Sequence, residues 1–92
     1  PPVYLIKNVY PIYFNGAVES IDNGRGLKIK LKNEPYFYKL SGTCNDTACL
    51  VDNITWGDTL SKGANSDTIT LKSRLNGKMT TWKLPANIDS LQ

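Results

Sequence analysis

Two thiols and no imidazole set the chemistry open to this chain. Cys44 and Cys49 enclose the four residues Asn45-Asp46-Thr47-Ala48. A zinc site needs about four ligands, of which two thiols without histidine supply half. A redox pair is usually Cys-x-x-Cys at the start of a helix, and neither the spacing nor the surroundings fit. A structural disulfide fits best, with two free thiols as the alternative. If residues 36–43 and 50–56 are the strands of a hairpin, the cysteines face each other where the loop begins, near the Cα separation a disulfide requires. So small a loop contributes only on the order of 2 kcal/mol. Its main effect is to hold the tip in shape, and Asn45, Asp46 and Thr47 form a candidate binding loop. A disulfide points to an oxidising compartment, so the expected location is secreted, periplasmic or cell-surface.

The cations are the second feature with chemistry in it. Arg25, Lys28, Lys30 and Lys32 form a candidate basic patch, three of them alternating with Leu27, Ile29 and Leu31. Phosphate binding is one use of such a stripe. The plainer use, and the favoured one, is to keep the solvent side of an antiparallel strand soluble and to discourage edge pairing. A single-stranded nucleic acid would also want aromatics interleaved with the charges, and the polar face of this strand carries none.

Catalysis is not expected. The missing histidine removes Ser-His-Asp and Cys-His mechanisms and most catalytic zinc sites. Most of the eight carboxylates stand beside Gly, Asn or Pro, where such residues shape turns. There is no phosphate-binding glycine loop, nucleophile elbow or metal triad. Gly24-Arg25-Gly26 lacks the strand–loop–helix context that gives glycine motifs meaning. No catalytic residue, metal or cofactor is assigned.

The elements positioning these residues read as strands. Val3 to Lys7 and Val9 to Phe14 are rich in β-formers, with Pro11 forcing an edge, bulge or bend in the second run. Asn15-Gly16 is a turn signal. Residues 17–22 and 27–32 form a hairpin across Asn23-Gly24-Arg25-Gly26, which sets Glu19 near Lys30. A strand follows over residues 36–41, with Tyr36 and Tyr38 sharing one face. Gly57-Asp58 ends the segment after Trp56, and residues 61–66 read as an exposed loop. Asn76-Gly77 is a two-residue type I′ turn, placing Leu71 opposite Trp82 and Ile69 opposite Leu84 on the core face. Pro85 stops the last strand and leaves residues 86–92 as a tail or a short helical turn.

With 92 residues the chain has room for one domain, residues 1–92. It is 40% hydrophobic with a net charge of +3, which excludes wholesale disorder. No apolar run approaches the ~18 residues of a membrane-crossing helix. About six or seven short strands without a convincing helix predict an all-β fold, a small antiparallel β-sandwich or barrel with one disulfide-closed hairpin. Pro1-Pro2 without an initiator Met reads as a processed or trimmed start.

The ending Ser90-Leu91-Gln92 resembles the Leu-Gln that coronavirus-type main proteases leave on replicase subunits, and Gly26 to Lys30 is similar to a strand of the small single-stranded-RNA-binding subunit of that group. That family is a β-barrel ending in a long dimerising helix, which this chain does not show, and Pro1 is a poor residue just after a cleavage site. The resemblance is confined to these two short stretches and assigns no family.

The expected function is therefore a non-enzymatic exported binding or accessory module that docks a protein partner through a sheet edge or loop surface. The alternative is a small nucleic-acid-binding β-barrel using the basic strand face, in the manner of a viral replicase subunit. Oligomeric state is not legible.

Overall fold

A computed structural model describes residues 4–85. The tail at 86–92, Pro1 to Val3 and the Leu-Gln ending lie outside the described residues. The elements are β1 (Tyr4–Ile6), β2 (Phe14–Asp22), β3 (Lys28–Leu31), β4 (Tyr36–Lys39), a 3-10 turn (Leu50–Asp52), β5 (Thr59–Lys62), β6 (Thr68–Lys72) and β7 (Met79–Lys83). The fold is all-β, as the strand-period patterning predicts. The seven strands form one sheet in the order β1-β4-β3-β2-β5-β6-β7. It is mixed rather than wholly antiparallel, because β1 runs parallel to β4. No helix among the described residues is long and apolar enough to cross a membrane.

Strand β2 holds the sheet together. Its first half, Phe14 to Ala17, pairs with β5, and its second half, from Val18, pairs with β3. A bulge between Val18 and Ser20 marks the change of partner and adds the local twist that bulges bring. Asn15-Gly16 is thus no turn: both residues lie inside β2, opposite Ser61 and Leu60. At Gly16 a Cβ would meet that of Leu31 at 3.5 Å, an ordinary contact, so the position does not require glycine. The run before it divides at Tyr10-Pro11, a turn closed by the Ile12 N–H donating to the Val9 carbonyl at 3.0 Å.

One apolar cluster joins both halves of the sheet, with Phe14, Val18, Ile29, Leu31, Tyr38, Leu60, Ile69 and Trp82 all buried in it. The alternation over residues 27–31 delivers what it predicts, since Leu27, Ile29 and Leu31 are buried. Phe14 and Tyr38 stack at 4.6 Å between ring centroids. The Tyr38 hydroxyl donates to Glu34 Oε1 at 2.7 Å. Burial first, and then that hydrogen bond to a carboxylate, push the phenol well above its usual range.

Two further expectations are corrected. Residues 50–56 make no strand. Leu50–Asp52 is a 3-10 turn, with the Ile54 N–H donating to the Leu50 carbonyl at 2.9 Å. Leu50 and Ile54 are both buried while Asp52 between them is exposed, which breaks the alternation a strand would show. Nor is the segment 61–66 wholly an exposed loop. Ser61 and Lys62 belong to β5, and Lys62 is buried. Its ammonium donates to the carbonyls of Tyr10 and Gly63 at 2.7 Å and of Ser66 at 3.0 Å, so all three protons are used. Desolvation lowers its pKa, partly countered by Asp67.

Candidate functional site

Cys44 and Cys49 form the expected disulfide, their Cα atoms 3.9 Å apart across an isolated antiparallel bridge. The Asn45 N–H donates to the Ala48 carbonyl at 2.8 Å, so the tip is a tight turn. Asn45, Asp46 and Thr47 are exposed, but the Asn45 side chain is occupied: its Oδ1 accepts from the main-chain N–H groups of Thr47 and Ala48. The tip also leans on β7. Cys44 bridges Lys83, Asn45 Nδ2 donates to the Thr81 carbonyl at 3.4 Å, and Trp82 Nε1 donates to the Ala48 carbonyl at 3.1 Å. Asp46 and Thr47 stay exposed at the tip.

The four basic-patch residues lie along β3 and the turns that flank it. Lys30 pairs with Glu19 at 3.0 Å, the contact expected from the hairpin. Lys28 folds back on the turn and donates to the Gly26 carbonyl at 3.1 Å. Lys32 lies in the turn beyond β3, and Arg25 sits on the exposed 23–26 turn. An aromatic does reach this face, from the next strand: Phe37 stands opposite Lys30, and Lys39 opposite Lys28.

The structure gathers a different group at the far end of β5 and β6. Asp58 is buried, and its carboxylate bridges two turns. Oδ2 accepts from the Thr55 N–H at 2.9 Å and Oδ1 from the Arg74 N–H at 3.0 Å. The Arg74 side chain returns across the gap, its Nε donating to the Trp56 carbonyl at 3.1 Å. Gly57 adopts φ +92°, and a Cβ there would lie 2.6 Å from Arg74 Cδ, so glycine is required on both counts. On this braced base Trp56 is 63% exposed, Leu75 79% and Met79 62%.

The last hairpin also departs from its expected register. Ser73 N donates to the Lys78 carbonyl and Gly77 N to the Ser73 carbonyl, making a four-residue connection over 74–77. The pairing therefore slides by two: Ile69 faces Trp82, and Leu71 faces Thr80. A shift of two preserves faces, so Ile69, Leu71 and Trp82 stay in the core.

Sequence reasoning passed over Trp56, Asp58, Arg74 and Leu75 as a group. Gly57-Asp58 is visible as a turn, but nothing local marks a carboxylate that serves a second turn. Among the described residues no set of three or more His, Cys, Asp or Glu is placed to hold a metal ion. No protein-family model matches this chain, and no curated protein or solved structure shows significant similarity to it.

Proposed function

We propose that the protein is a non-enzymatic, exported binding module that docks a protein partner through the surface of its two braced turns, 55–58 and 74–77. The observation that carries it is the buried Asp58 carboxylate holding the turns that present Trp56 and Leu75 to solvent. Large apolar side chains are left exposed there on a rigid base, and Trp and Arg are the residue types that dominate binding hot spots. Turns already fixed lose little further freedom on association, which favours affinity. Lys72, Arg74 and Lys78 lie in or beside the second turn in sequence, and the one acid within the two turns, Asp58, is buried. The partner surface is accordingly apolar with an acidic border. The disulfide supports export. A photo-crosslinking residue in place of Leu75, used in the native host, should capture one discrete protein, and W56A should abolish the adduct. Equal capture from position 47 on the cystine loop would remove the assignment.

A second use, single-stranded nucleic acid on the outer face of β3 and β4, is favoured by Phe37 beside Lys30 and by the Lys28–Lys39 pair. A fluorescent oligonucleotide should then bind at low salt, weaken steeply as salt rises, and lose affinity in F37A. No binding at low salt ends it.

A further inference from the structure

The outer face of β2, β5, β6 and β7 carries a straight row of neutral hydrogen-bonding side chains. Asn15 stands opposite Ser61, Ser61 opposite Thr70, and Thr70 opposite Thr81. Four strands at the usual spacing make this row roughly 14 Å long. Beside it lies a shallow hollow of ≈ 360 Å³ lined by Tyr13, Ser61, Gly63, Ser66, Thr68 and Thr70, within the ~300–1,000 Å³ of small-ligand sites. Tyr13 is 64% exposed. The Ser66 and Thr68 hydroxyls are engaged locally, whereas those of Ser61 and Thr70 have no protein partner among the described residues.

Charge decides the ligand class. Lys62 contributes to the lining, but its ammonium is spent on three carbonyls. No carboxylate lines the hollow to receive a cation, and the Lys62 ammonium, though charged, has no N–H left to donate to an anion. The hollow offers hydroxyls, an amide at the end of the row and one exposed aromatic ring. A neutral ligand carrying many hydroxyls on one edge and C–H groups on its flat face matches both features. The C–H face lies on the ring, and the hydroxyls meet the row.

We propose that this face binds a neutral, flat glycan, an equatorially linked chain of pyranose units lying across the strands with one unit stacked on Tyr13. The site is separate from the braced turns, and either can fail without the other.

The test is NMR titration of the intact protein with cellohexaose and N-acetylchitohexaose, with chitosan hexamer and oligogalacturonate as charged controls. The expected result is saturable binding of at least one neutral hexamer, with shifts centred on residues 13, 61 and 70. Y13A should weaken it about ten-fold, as loss of a stacked ring implies, and T70V should weaken it while keeping the strand's shape. Y4A, which removes an equally exposed tyrosine from the β1 edge, should leave it unchanged. No binding of either neutral hexamer, preference for a charged one, or undiminished binding by Y13A would each overturn the proposal.

Discussion

The main-chain N–H of Arg74 donates to Asp58 Oδ1 across 3.0 Å, joining turns sixteen residues apart in sequence. The other oxygen takes the Thr55 N–H, so D58A leaves two donors unpaired. At about 1–3 kcal/mol for each unsatisfied buried group, the variant should lose about 3 kcal/mol in urea unfolding. D58N keeps an acceptor but turns an NH2 toward one donor, and should lose less. A D58A protein as stable as its parent would show that the brace contributes nothing.

The disulfide should matter for Trp82 beyond its effect on stability. The chain has two tryptophans, so W56F leaves Trp82 as the one reporter. Its indole N–H is bonded to Ala48 inside the cystine loop. Replacing both cysteines by serine should cost about 2 kcal/mol and shift the Trp82 emission to the red as the loop leaves β7. Unchanged emission would mean that the loop holds its place without the bond.

Alkaline pH should act on stability in two opposed ways. Burial lowers the Lys62 pKa. Between its folded pKa and the unfolded value near 10.4 the unfolded chain binds more protons, so stability rises with pH. The Tyr38 phenol is raised above its usual value by burial and by Glu34. Above about pH 10 the unfolded chain loses that proton first, and stability falls. Urea midpoints should therefore climb, pass a maximum and drop. Y38F should remove the drop and K62M the climb. K62M also leaves the Tyr10, Gly63 and Ser66 carbonyls without their donor and should cost about 2–4 kcal/mol at neutral pH.

The Glu19–Lys30 ion pair should count for little. Glu19 is exposed, and such pairs contribute about 0–1 kcal/mol. E19Q should shift the thermal midpoint slightly at low salt and not at all in molar salt, where the charges are screened.

Local pattern was sufficient wherever one side of a strand is wet. Leu27, Ile29 and Leu31 declare β3 by alternation, and Glu19 meets Lys30 because the hairpin brings them together. The disulfide was legible because two cysteines so spaced have few other uses. Pattern fell short where distant groups decide. Asn76-Gly77 favours a two-residue turn, but the connection spans four residues, 74–77, closed by the Ser73–Lys78 and Gly77–Ser73 bonds. A buried lysine hid β5, since Lys62 reads as solvent-facing until three carbonyls are there to receive it. The braced turns were illegible for the same reason: the turns that carry Trp56 and Leu75 are joined by Asp58 and Arg74, sixteen residues apart in sequence.

The cystine loop along β7 limits how copies of this domain can aggregate. An uncovered outer strand invites another chain to extend the sheet. Cys44 and Asn45 roof the Thr81–Lys83 end of the β7 edge, so a chain extending the sheet there must first displace the cystine loop. Opening the roof would bare the edge, the condition edge-to-edge growth needs.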